Sequence, residues 1–135
     1  MKIVLQDNRR YILRFQKGEE VLEALKKFIA DEKIMASVFS GIGACSLAEL
    51  AFYDVKTIDY RTRVFDEDCE ILSITGNSAI LNGEVALHAH AVLSRADFSA
   101  IGGHVMELVV SATCELFLIK LDGVMQRKLD PETNL

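Results

Sequence analysis

The apolar runs of this chain come in strand-sized pieces of about five to eight residues, divided by short polar connections. That property removes most architectures at once. A parallel strand pair needs a crossover of about a dozen residues or more, and a membrane-spanning helix needs about 20 apolar residues in a row. The sequence offers seven or eight strand-like segments: 2–5 and 11–15 around Asp7-Asn8-Arg9, 34–39, 47–53 with a turn and return over 54–60, 70–76, 85–93, 105–110 and 114–121. Asn82-Gly83, just before the 85–93 segment, is a strong hairpin signal. Only one segment has a helical period. Val21, Leu22, Leu25, Phe28 and Ile29 form a single apolar stripe. Gly18-Glu19-Glu20 opens this helix, which ends near Lys33; Glu19 and Glu20 fall in its first turn and Lys26 and Lys27 later, as the helix dipole favours. The expectation is an α+β domain over 1–135: a largely antiparallel sheet of about seven strands with one main helix packed on a face. A single helix leaves apolar strand surface over, which an oligomer would cover.

Two segments read as loops. Ser40-Gly41-Ile42-Gly43-Ala44 suggests a tight glycine turn with close backbone packing; a phosphate cradle would need a following helix and a Lys-Ser/Thr, and neither follows. Residues 94–101 form the second loop, and the tail 130–135, with the one proline, is expected to fray.

Composition narrows the function classes. With 15 basic against 20 acidic side chains the net charge is −5, which counts against an autonomous nucleic-acid binder, since such proteins gain affinity by neutralising phosphates. Arg9, Arg10, Arg14, Arg61 and Arg63 read as solvated strand edges. The N-terminus meets charge at once and has no signal-peptide core, so neither secretion nor a membrane partner is expected. Cys45, Cys69 and Cys114 are odd in number and widely spaced; they read as reduced, buried thiols of a cytoplasmic protein.

All three histidines fall within seventeen residues, as His88-Ala89-His90 and then Gly102-Gly103-His104. Spacing of two on a strand puts His88 and His90 on one face, with Val85, Leu87, Ala89, Ala91 and Leu93 on the core face. An antiparallel return brings His104 beside them. On this reading the imidazoles are at least half buried, and buried imidazoles need hydrogen-bond partners or a metal. Three converging imidazoles suit a divalent transition metal with one position open; zinc is the first choice, and nickel, copper or iron accept the same ligands. Water at the open position would permit hydrolysis or hydration, given a general base. The candidates are Glu70, Glu84, Asp97 and Glu107, of which Asp97 lies between the histidines in sequence and Glu84 shares their strand parity. The plain alternative is three structural histidines in a polar network.

These segments together resemble a known family. Glu70-Ile71-Leu72-Ser73-Ile74-Thr75-Gly76-Asn77, Gly83, His88-Ala89-His90-Ala91-Val92-Leu93 and Gly102-Gly103-His104-Val105 look like the plant and prokaryote conserved (PPC or PCC) domain. Tyr11-Ile12-Leu13-Arg14-Phe15, Lys17-Gly18-Glu19-Glu20 and Gly41-Ile42-Gly43-Ala44 extend the likeness over nearly the whole chain. The resemblance implies a homotrimer of α+β domains with His88, His90 and His104 as metal ligands. In the plant relatives a separate AT-hook, with an Arg-Gly-Arg-Pro core, contacts DNA; this chain has no such core, so DNA as a partner would rest on family analogy alone. Ala89 is smaller than the residue often found there in the family.

Overall fold

In the computed structural model, which describes residues 1–133, Asn82 and Gly83 take positive φ angles of 52° and 87°. They turn strand β5 (Cys69–Leu81) directly into β6 (Glu84–Ser94), the hairpin that an Asn-Gly pair favours. The other elements are β1 (Lys2–Gln6), β2 (Arg10–Gln16), α1 (Val21–Asp31), β3 (Ser37–Asp54), β4 (Asp59–Phe65) and β7 (Ala100–Lys120). The strands form one antiparallel sheet in the order β1-β2-β7-β6-β5-β3-β4, and β3 also pairs with β7. That extra pairing closes β7, β6, β5 and β3 into a ring.

The architecture is sheet-dominated. With one helix of 11 residues against seven strands, the α+β label fits only loosely. The strands are also longer than the sequence suggests. The 34–39 and 47–53 segments join into the 18-residue β3, and 105–110 and 114–121 join into the 21-residue β7. Gly41 and Gly43 therefore make no turn. They lie within β3, opposite Leu116 and Cys114 of β7. A Cβ on Gly41 would sit 2.2 Å from the Glu115 carbonyl oxygen, and one on Gly43 would sit 2.4 Å from that of Thr113. The glycines serve strand contact, where the sequence suggested chain reversal. The 94–101 loop likewise shrinks, because β6 runs to Ser94 and β7 starts at Ala100. Asp97 closes the short turn, its Oδ1 accepting from the Ser99 backbone N–H at 2.9 Å and the Ser99 hydroxyl at 2.6 Å.

Helix α1 begins at Val21, so Glu19 and Glu20, expected in its first turn, lie just before it. Glu20 is its N-cap: its carboxylate accepts from the backbone N–H groups of Leu22 and Glu23, two donors without an intrahelical partner. The same carboxylate accepts from the Leu108 N–H of β7 at 3.0 Å, which ties the helix start to the sheet. Val21, Leu25, Phe28 and Ile29 are buried against β6 and β7, and the Phe28 ring meets Tyr11 of β2 edge-on at 5.2 Å. The core continues through Leu13, Phe15, Ile71, Ile74, Leu93, Leu108, Leu116 and Leu118, all almost fully buried. Cys45, Cys69 and Cys114 are free and buried; burial pushes the Cys45 and Cys114 thiols up to about 12, so they stay protonated and inert.

The outward side of the sheet is apolar in places. Val38 and Ile42 of β3, Phe117 and Ile119 of β7 and Leu72 of β5 are exposed, and Val38 pairs directly with Ile119. No helix of the described residues is long and apolar enough to cross a membrane. In the tail, the Tyr53 hydroxyl donates to the Thr133 carbonyl; the last two residues of the 130–135 segment lie outside the described residues.

Candidate metal centre

The histidine strand keeps the predicted parity. Ala89, Ala91 and Leu93 are buried, while His88 and His90 point to the other face. β6 pairs with β7 so that His90 lies directly across from His104, and His88 lies across from Asn77 of β5. Gly102 and Gly103 lie in extended β7 and let three strands close together. A Cβ on Gly103 would sit 2.7 Å from the Ala51 carbonyl oxygen of β3, and one on Gly102 would sit 2.8 Å from that of Ala91 on β6.

The three rings form a compact triangle, with centroids 5.1 Å apart for His88–His90, 5.1 Å for His88–His104 and 5.4 Å for His90–His104. The Nε2 atoms of His88 and His90 are 3.1 Å apart, and one ring nitrogen from each histidine lies within 4.8 Å of the others. Zinc–imidazole bonds at tetrahedral angles put ligand nitrogens about 3.3 Å apart, so small rotations would bring the set onto one ion. His88 and His104 are partly buried, whereas His90 is exposed, against the expectation that the histidines of the strand would be at least half buried. His104 Nδ1 is buried with no hydrogen-bond partner. Such an atom is costly unless it takes a proton donor or a metal.

Electrostatics favour the neutral form of His88 and His104. Burial, then the neighbouring His88, His90 and Arg127, hold His104 down to about 4; burial, Arg127 and His90 lower His88. Neutral imidazoles are the form that ligates metal. The metal-free protein should consequently lose stability as pH falls from about 6.5 to about 4, because the unfolded chain takes up a proton there that folded His104 refuses. The expected loss is about 2 kcal/mol after solvent screening, measured as a urea midpoint against pH. His104→Gln should flatten that slope; an unchanged slope would place its origin elsewhere.

The triangle opens into a cleft of about 520 Å³ whose other walls include Phe52, Tyr53, Tyr60, Leu87 and Arg127. Tyr60 stacks at a tilt on His104 with centroids 5.3 Å apart, and Tyr53 meets Tyr60 edge-on at 5.1 Å. Arg127 Nη2 donates to Asn77 Oδ1 at 2.7 Å. Sequence reasoning missed these residues. Tyr53 and Tyr60 flank a turn it recognised, and their pairing across β3 and β4 was the available signal. Arg127 comes from the segment after β7 and carries no local signal.

The four candidate general bases do not join the histidines. None of Glu70, Glu84, Asp97 and Glu107 lines the cleft. Asp97 is held in the β6–β7 turn. Glu84 shares the parity of His88 but lies four residues along β6, about 13 Å in an extended strand. Glu107 faces Glu49 across β7 and β3, and Glu70 faces Ser94.

The profile of the Plants and Prokaryotes Conserved (PCC) domain matches residues 4–122. The chain belongs to the PCC domain family. Among solved structures, this PCC domain is similar to a candidate DNA-binding protein from Bacteroides thetaiotaomicron, with 29% identity, TM-score 0.93 and coverage of 97% of this chain and 92% of that one. It is similar to a metal-containing protein from Archaeoglobus fulgidus at 29% identity and TM-score 0.89, covering 100% and 96% of the two chains. A plant- and prokaryote-conserved protein from Pyrococcus horikoshii matches at 28% identity and TM-score 0.89 over 99% and 94%. No curated protein matches the chain in sequence.

Proposed function

We propose that this PCC-domain protein is a cytoplasmic homotrimer in which each His88–His90–His104 group holds a divalent transition metal, zinc first, with one coordination position facing the cleft. The observation that carries the reading is the convergence of three imidazoles from two neighbouring strands, with a buried ring nitrogen of His104 left without a partner. The metal-containing relative from Archaeoglobus fulgidus supports it. A metal so held supplies Lewis acidity at its open position. The chain's own part is to keep the His88 and His104 imidazoles neutral, to orient His104 against Tyr60 and to present a walled cleft to a small molecule. No carboxylate among the described residues lines that cleft, so the reading assigns binding and no reaction. The trimer rests on the exposed apolar residues Val38, Ile42, Leu72, Phe117 and Ile119 and on the likeness to the family. Three buried free thiols suit a reducing compartment.

Native mass spectrometry with elemental analysis on tag-free protein tests both parts. About one transition metal per chain and three chains per particle is the expected result. Absence of metal even after reconstitution would return the histidines to a structural role, and a monomer would remove the trimer.

The relatives from Bacteroides thetaiotaomicron and Ralstonia eutropha, both candidate DNA-binding proteins, point to a second reading. The charges here count against it. Arg9, Arg10, Arg61 and Arg95 each pair with an acid, Asp122, Asp7, Asp54 and Glu67 respectively, on a chain of net charge −5. Fluorescence anisotropy with a labelled duplex should show no binding at physiological salt. Tight binding that weakens steeply with added salt would revive the DNA reading.

A further inference from the structure

Arg127 is the one cation lining the histidine cleft among the described residues, and its guanidinium is under-used. One donor, Nη2, goes to Asn77 Oδ1 at 2.7 Å. Nε is buried without a partner. A guanidinium offers five donors in a fixed fork that matches a carboxylate, so a buried, partnerless Nε calls for an acceptor. Four other arginines have protein carboxylates, as described above; Arg127 has none among the described residues.

The backbone holds Arg127 in place. Its N–H donates to the Ile80 carbonyl at 2.9 Å, and the Ile80 N–H donates to the Met125 carbonyl at 2.8 Å. These bonds make a short parallel bridge to β5, opposite Gln126. The side chain is therefore presented from a pinned segment, the condition under which a binding group keeps its geometry. The segment lies beyond residues 4–122, the part of the chain that the family profile covers.

Three neutral imidazoles leave the full charge of a dication uncompensated, unlike ligand sets that include carboxylates or thiolates. Arg127 adds one more positive charge, and no acidic side chain among the described residues lines the cleft to offset either. The cleft thus combines a cationic floor with walls made by Phe52, Leu87 and the rings of Tyr53 and Tyr60. A bare inorganic anion would satisfy the charge and leave those walls unused. A small organic acid satisfies both.

We propose that the cleft binds small organic carboxylates, held jointly by the metal on His88, His90 and His104 and by the Arg127 guanidinium. This rests on the metal reading above and adds a ligand class and a specificity residue to it.

The test uses protein loaded with cobalt(II), whose visible spectrum reports its ligands, and titrates propionate, butyrate, propionamide and inorganic phosphate. Propionate and butyrate should shift the spectrum and bind by calorimetry, with propionamide at least about tenfold weaker. R127Q, which keeps an amide donor toward Asn77, should still load about one cobalt per chain and lose about tenfold or more in carboxylate affinity, with R127K intermediate. Carboxylate affinity that is the same in R127Q and wild type would overturn the proposal, as would phosphate binding as tightly as butyrate. The two readings fail at different steps. No cobalt uptake by wild-type protein overturns the metal reading before any acid is added. Full uptake with no response to carboxylates overturns this inference alone.

Discussion

His88→Ala and His104→Ala are each expected to weaken metal binding by at least about 100-fold while the proposed trimer stays intact. Each change removes one of the three proposed ligand nitrogens, and among the described residues no carboxylate or thiol lines the cleft to replace it. The fold should tolerate both. His88 and His104 lie on the cleft face, away from the buried stripe of Ala89, Ala91 and Leu93, and the β6–β7 ladder is made by backbone. His104→Ala also deletes a buried nitrogen that has no partner without metal, so part of the packing lost against Tyr60 is offset. Metal content after dialysis, read with the particle mass, checks the prediction. Unchanged metal in both variants would place the ion elsewhere or remove it.

The second large effect is structural. Gly43→Ala should cost about 2–4 kcal/mol, because the new methyl would lie 2.4 Å from the Thr113 carbonyl oxygen and 2.6 Å from Cys114 Cα, both backbone atoms of the strand opposite. β3 and β7 would have to part where they close the ring. Gly123→Ala is the control. Gly123 has φ of 94° with open space around it, so its cost is backbone strain alone, about 1 kcal/mol. Urea unfolding of metal-free samples at one protein concentration compares the two, since metal and assembly both shift apparent stability. A smaller loss for Gly43→Ala than for Gly123→Ala would mean that β3 and β7 do not meet as closely as described.

The contrast between these glycines shows what local sequence can carry. Asn82-Gly83 needed only its own backbone angles, so the hairpin was legible. The helix was legible for a similar reason: its apolar stripe from Val21 to Ile29 is local. So was the face on which His88 and His90 sit, because strand parity is local. Gly41 and Gly43 were misread because what they accommodate is Glu115 and Thr113, at least 70 residues away. The same distance hid the full lengths of β3 and β7, whose Ser, Gly and Thr positions look like loop until a long partner pairs with them. The cleft beyond the histidines was hidden too. Tyr60 arrives from β4 and Arg127 from the segment after β7, and neither neighbourhood announces the meeting. Asp97 illustrates the converse: nearness in sequence to both histidine groups did not bring it to the site, since a two-residue side-chain bond in the turn claims it.

Strand β7 holds His104 near one end, receives the helix cap at Leu108 in its middle, and closes the ring with β3 along most of its length. An ion gripping His104 would therefore be felt in time as well as in space. Amides along the β3–β7 ladder would open only when the whole ring opens, so metal should slow their hydrogen exchange together, out to Leu116 and Leu118, while those of β1 and of the β3–β4 turn, at the sheet's two margins, keep their own faster clock.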